Sequence, residues 1–122
     1  MKYLQLASDL YQMTGQGQML EAFEKYYHDD VVMIEANGDT REGKDKNREF
    51  QKQFLASVSE VHGGGVDAIT SNEETGVTMV ETWMDITFKD GNRMKMEEVC
   101  VQQWQDGKII RERFYYNMPG QN

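Results

Sequence analysis

VTMVETWMDITF (Val77–Phe88), KDGN (Lys89–Asn92) and RMKMEEVCVQQW (Arg93–Trp104) read together as one long β-hairpin. β-Branched and aromatic residues fill both arms, which suits a pleated, half-buried surface. Asp90-Gly91 between them is a turn pair that closes antiparallel strands, and the expected loop is two residues long. That register sets Trp83 opposite Glu98, Glu81 opposite Cys100 and Asp85 opposite Met96. All six then share one face, because side chains alternate along a strand. The other face carries Thr82, Met84, Val99 and Val101 and is half apolar.

Working outward, Asp106-Gly107 signals a second tight hairpin, so Lys108–Tyr116 forms the next strand. On the other side Val66–Ser71 forms a strand. Gly63-Gly64-Gly65 before it reads as a flexible link. It lacks the Lys-Ser/Thr of a phosphate loop and leads into a strand. The N-terminal half has helical spacing. Tyr3, Ala7 and Leu10 define a helix over Met1–Met13, and Leu20, Phe23 and Tyr27 a second over Gln18–His28. Phe50, Phe54 and Val58 define a third over Gly43–Val58. Val31–Glu35 is a β-prone run that ends at the Asn37-Gly38 turn signal. Helices first, then a four-strand meander, predict an α+β domain with helices packed on one face of a curved antiparallel sheet.

Composition narrows the function. The 122 residues suit one domain, 1–122, and carry 13 Lys+Arg against 21 Asp+Glu, a net charge of −8. So acidic a chain has no basic face for nucleic acid. No 18-residue apolar run spans a membrane, and Met1–Met13 lacks the apolar core of a secretory signal. The one cysteine, Cys100, permits no internal disulfide. A reduced, cytoplasmic setting follows as the expectation. His28 and His62 show no metal-ligand spacing, so neither a metal nor a cofactor is expected. Arg41, Lys44, Lys46 and Arg48, interleaved with Glu42, Asp45 and Glu49, read as a solvated helix face with ion pairs.

Three stretches carry a resemblance. They are Tyr26-Tyr27-His28-Asp29-Asp30-Val31-Val32-Met33-Ile34-Glu35, Arg41-Glu42-Gly43-Lys44-Asp45, and Trp104-Gln105-Asp106-Gly107-Lys108-Ile109-Ile110 with Arg113-Phe114-Tyr115. In this order and spacing the chain resembles, over nearly its whole length, the nuclear-transport-factor-two-like superfamily. That group includes the SnoaL-like polyketide cyclases and the ketosteroid isomerases. The resemblance implies a cone: a strongly bent antiparallel sheet wrapped round three helices of the N-terminal half, with an internal pocket. It also implies a homodimer formed sheet to sheet, for which the Thr82, Met84, Val99 and Val101 face would serve. Matched residue by residue to the isomerases, Glu35 takes the place of the catalytic base and Tyr11 that of the oxyanion-stabilising tyrosine. Cys100 stands where the isomerases hold a protonated carboxylic acid, and a thiol is a weaker donor.

The expected pocket is therefore Phe50, Glu81, Trp83, Asp85, Met96, Glu98, Cys100 and Tyr116 around the Glu35–Tyr11 pair. Three dry carboxylates would cost several kcal/mol each. At least one of Glu81, Asp85 and Glu98 should therefore sit at a rim or pair with Arg111 or Arg113. A carboxylate among apolar side chains has a raised pKa and can move a proton beside a carbonyl, and a tyrosine hydroxyl can hold the resulting enolate. Three readings follow. One is a small-molecule-binding protein running cofactor-independent isomerase- or cyclase-type acid–base chemistry on an apolar or cyclic carbonyl compound. The second is a non-catalytic ligand-binding or dimerisation module. The third is a dehydratase or epoxide-hydrolase-like enzyme, built on His62 or on Asp85 with Arg113. The crowded acids also raise the possibility of a cationic ligand.

Overall fold

A computed structural model describes residues 2–117. Met1, where the first helix was expected to begin, and residues 118–122 with Pro119 lie outside the described residues. The helices are α1 (Tyr3–Gly15), α2 (Met19–Tyr26) and α3 (Lys44–Ser57). The strands are β1 (Tyr27–Ile34), β2 (Thr40–Glu42), β3 (Val58–Asn72), β4 (Val77–Phe88), β5 (Arg93–Gln105) and β6 (Lys108–Tyr115). They form one open sheet in the order β2-β1-β6-β5-β4-β3. The α+β cone is thus present, with two corrections. The sheet is mixed, because β1 runs parallel to β6, and β2 is a strand that the sequence pattern did not announce.

α1 buries Ala7 and Leu10, and α2 buries Ala22, Phe23 and Tyr26. These pack with Tyr27, Val31, Met33, Trp104 and Ile109 into the core between helices and sheet. α1 has no acid in its first turn and borrows one: Glu73 accepts the Tyr3 and Leu4 backbone N–H groups at 2.7 and 3.1 Å. A carboxylate there satisfies orphan donors and meets the positive end of the helix dipole.

The glycine link is no link. Gly63, Gly64 and Gly65 lie inside the 15-residue β3, paired with Asp85, Met84 and Trp83. A Cβ on Gly63 would come within 3.3 Å of the Trp83 ring, and one on Gly65 within 3.1 Å of its Nε1. The glycines leave the space in which the indole lies across the neighbouring strand.

The hairpin register is also corrected. Phe88 N–H donates to Asn92 O at 2.8 Å and Gly91 N–H to Phe88 O at 2.9 Å. The loop is therefore three residues, Lys89-Asp90-Gly91, with Gly91 at φ 95° in the left-handed region that glycine adopts freely. One extra loop residue slides the pairing by one. Trp83 faces Glu97, Glu81 faces Val99, Asp85 faces Lys95, and Val80 faces Cys100. The Asp106-Gly107 turn has the expected two residues, with Gln105 paired to Lys108.

Candidate functional site

The corrected register divides the expected pocket. Thr78, Val80, Ile86, Cys100 and Gln102 are buried toward the helices. Thr82, Met84, Met96 and Glu98 continue that concave face, and Glu112 and Phe114 extend it on β6. Glu81, Trp83 and Asp85 point the other way, with Val99 and Val101. A two-residue loop puts Glu81, Trp83 and Asp85 into the pocket and Thr82 and Met84 beside Val99 and Val101. Both groupings are undone by the three-residue loop, because a slip of one residue moves one strand's side chains to the opposite face. Lys95 Nζ lies 5.0 Å from the centre of the outward Trp83 ring. Asp85 pairs with Arg93 at 3.0 and 3.1 Å, not with Arg111 or Arg113. His62 joins this outward group through Thr87 Oγ1 at 2.7 Å. The His62 and Asp85–Arg113 arrangements of the third reading are therefore not assembled on the concave face.

What the concave face does collect is a row of acids and hydroxyls. Glu35 follows β1. One of its oxygens accepts from Arg41 Nη2 at 2.6 Å and the other from the Tyr116 hydroxyl at 2.7 Å. Arg41 is held in turn. Its Nε donates to Asn47 Oδ1 at 3.1 Å, and its guanidinium lies 3.6 Å from the centre of the Phe50 ring. Asn47, fully buried at the start of α3, spends its amide protons on the carbonyls of Arg41 and Gly43. The β1–β2 hairpin and the α3 N-terminus thus lock the Arg41–Glu35 pair. The "solvated face" reading fails for Arg41 because its charge is needed inside.

Glu98 lies near Glu35 and, among the described residues, pairs with no cation. Its hydrogen-bond partner is the Cys100 thiol, at 3.5 Å. Burial pushes its carboxyl up, and the neighbouring Glu35 adds to the effect. Cys100 is 2 % exposed, and burial raises its thiol well above the usual range. Behind it lies the Tyr11 hydroxyl, also raised by burial.

Deeper still is a group that the sequence reading missed. Glu112, 2 % exposed, accepts from the Tyr27 hydroxyl at 2.5 Å and from Gln102 Nε2 at 2.8 Å. Burial pushes its pKa to about 7 against these two donors. Gln102 also donates to Tyr11 Oη at 2.9 Å. Parity from a correct register would have found Gln102 and Glu112, since Glu112 pairs with Gln102 and Phe114 with Cys100.

Phe50, stacked on Arg41, is 45 % exposed, and Met96 on the concave face is 37 % exposed. Tyr116 is exposed where it meets Glu35. A depression of about 480 Å³ is lined by Asp67, Glu81, Glu97, Val99 and Tyr115 and, from the concave side, by Thr82, Glu98 and Tyr116. Among the described residues no three His, Cys, Asp or Glu side chains gather as a metal-binding group. No helix of the described residues is long and apolar enough to cross a membrane.

Comparison with known proteins gives one consistent picture. The profile of the SnoaL-like domain matches residues 1–116. A protein from Mesorhizobium loti assigned as a SnoaL-like polyketide cyclase is 32 % identical. The match covers 95 % of this chain and 100 % of that one, with a TM-score of 0.83. A protein from Bacillus subtilis assigned as an isomerase shares the fold at 16 % identity, covering 96 % and 90 % of the two chains, with a TM-score of 0.80. A protein of ketosteroid isomerase-like fold from Catenulispora acidiphila, solved with trimethylamine, does so at 13 % identity, covering 91 % and 85 %, with a TM-score of 0.73. No protein of curated function matches.

Proposed function

Since the chain belongs to the SnoaL-like domain family, we propose that it binds a small organic carbonyl compound at the concave face and moves protons on it without a cofactor. One observation carries the reading. Tyr11, Cys100, Glu98 and Glu35 succeed one another on that face, with the exposed Phe50 ring stacked on the Arg41 that holds Glu35. In this reading the apolar body of the ligand rests on Phe50 and Met96. Glu35 is the base. Arg41 holds it in one orientation, and the oxygen shared with Tyr116 is the one a substrate proton reaches when that exposed tyrosine swings aside. Glu98, which burial makes ready to carry a proton, delivers that proton to the new carbon, and exchange with water then takes the abstracted proton from Glu35 and reprotonates Glu98. Tyr11 donates to the carbonyl oxygen as negative charge develops there. The whole of 1–122 acts as one domain.

The test is a thermal-shift screen of small cyclic ketones and polyketide-like compounds, with α-proton exchange into deuterated water followed by NMR. Trimethylammonium belongs in the screen, because a protein of this fold is solved with trimethylamine and the concave face holds more acids than cations. Glu35→Gln should abolish exchange and keep binding. No shift from any compound, or full exchange in the Glu35→Gln variant, refutes the reading.

A second reading has its own support. Outward of β4–β6, Met79 is 46 % and Tyr115 50 % exposed beside Val99 and Val101. This surface would meet a second copy sheet to sheet, in a module whose task is binding or dimerisation. Sedimentation decides it: a strict monomer at high concentration removes the interface. The expectation of a cytoplasmic location stands with both readings.

A further inference from the structure

We infer that the buried chain Trp104–Thr78–Gln102 sets the direction of the Tyr11 hydroxyl proton, and that Gln102 is its positioning residue. The inference rests on the reading above, in which Tyr11 serves as a donor. A phenol can donate or accept, so a tyrosine is useful to an oxyanion only if its proton points the right way.

The direction follows from hydrogen-bond bookkeeping. An indole N–H can only donate, and Trp104 Nε1 donates to Thr78 Oγ1 at 2.8 Å. Thr78 is fully buried and spends its own proton on Gln102 Oε1 at 2.6 Å. The Gln102 carbonyl therefore faces Thr78 and its NH2 faces away. Those two protons go to Glu112 Oε2 at 2.8 Å and to Tyr11 Oη at 2.9 Å. Once Glu112 is ionised, the far end of the chain makes the same demand, because Oε1 accepts from Tyr27 and a reversed amide would set its carbonyl against Oε2. Gln102 is completely buried and uses every polar group it has, so a reversed amide has no other partners. Because Tyr11 Oη accepts from Gln102, its own proton points away from Gln102, and the Cys100 thiol is a neighbour of the hydroxyl. Sulfur is a weak acceptor, so a carbonyl oxygen can take its place. A donor aimed in advance needs no reorganisation when charge develops.

Gln102→Glu keeps the shape but presents one carboxyl oxygen to Thr78 and the other to both Tyr11 and Glu112, where the proton that Glu112 holds bridges the two carboxyl groups. The Tyr11 proton should then turn inward. The first readout needs no ligand. The protein is labelled with 13Cζ-tyrosine, and the Tyr11 resonance is assigned among the six tyrosines by Tyr11→Phe. That resonance should move in Gln102→Glu and in Thr78→Val, and return in Thr78→Ser, which restores the hydroxyl. The second readout is α-proton exchange of β-tetralone in deuterated water. Tyr11→Phe and Gln102→Glu should each slow exchange about 100-fold, as loss of one oxyanion donor does. The double variant should be no slower than Tyr11→Phe alone.

Multiplying effects would show that Gln102 acts other than through Tyr11 and would overturn the inference. So would an unmoved Tyr11 resonance in Gln102→Glu, or a Thr78→Ser variant that behaves like Thr78→Val. If Tyr11→Phe leaves exchange unchanged, the catalytic role of Tyr11 falls instead, and the resonance still decides which way its proton points.

Discussion

Glu112→Gln should stabilise the protein increasingly as pH rises, and the size of the effect can be worked from the burial of Glu112. Its pKa is 4.5 when exposed and about 7 in the fold, because burial opposes the charge more than Tyr27 and Gln102 favour it. The native protein therefore keeps a proton that the unfolded chain has already released. Stability falls as pH rises from 4.5 through about 7, and is flat above that. At about 1.4 kcal/mol per pH unit the gap comes to about 3 kcal/mol. A glutamine at position 112 mimics the protonated acid and carries no such cost. Urea unfolding of both proteins from about pH 5 to about pH 8, followed by the buried Trp104, should show the variant gaining about 3 kcal/mol relative to the parent. The lift that burial gives Glu98 is common to both proteins and cancels, while the part of the Glu112 lift that comes from the Glu98 charge belongs to the same gap. Asp9, Glu24, Glu73 and Asp85 are held low, Asp9 by Tyr26 and Lys25, Glu24 by Arg48, Glu73 by Ser71 and backbone N–H groups, and Asp85 by Arg93. They lose stability only as pH falls, outside this window. A difference that stays constant with pH would refute the argument, since it would mean that Glu112 does not titrate there.

Other substitutions probe separate parts of the fold. Gly65→Ala should cost about 1–3 kcal/mol and shift Trp83 fluorescence, because the added Cβ overpacks the indole; an unchanged spectrum would mean that the ring does not lie on β3. Arg41→Met should cost about 2 kcal/mol in chemical unfolding, since it strands the largely buried Glu35 carboxylate. Glu35→Gln added to Arg41→Met should recover part of that loss, and no recovery would mean that the two charges are not coupled. Cys100 should resist alkylation at mildly alkaline pH in the native protein and react readily in urea, because burial both covers the thiol and raises its pKa. Rapid native labelling would show the concave face to be far more open than described.

The order of helices and strands was legible because each element carries its own period. The third helix, both long hairpin strands and the Asp106-Gly107 turn needed no distant information. The face of the sheet was not legible. Thr78, Gln102 and Glu112 are polar yet buried, while Met79, Val99 and Val101 are apolar yet face outward. Alternation therefore could not tell inside from outside, and the register hung on whether Asp90-Gly91 closes a loop of two residues or three. Arg41 was not legible as an inward charge: the Asn37-Gly38 turn signal marks only the end of the first strand, and the return strand that carries Arg41, Thr40–Glu42, is too short to show a period of its own. Nor was the parallel β1–β6 pair, since nothing local links residues 27–34 to residues 109–113.

That parallel pair also shapes how the molecule assembles in time. β3 to β6 are joined by short turns and can zip together through neighbouring segments, whereas β1 must find β6 across some eighty intervening residues, as Val32 finds Arg111. Closing so long a loop precedes any reward from its contacts and slows folding. Glu35 and Arg41 belong to the late-docking side of that closure, whereas Cys100, Gln102 and Glu112 already meet on β5 and β6 and await only Tyr11 from the first helix. Mutations that weaken the β1–β6 seam should therefore release Glu35 and Arg41 from the acid row before they unfold the sheet.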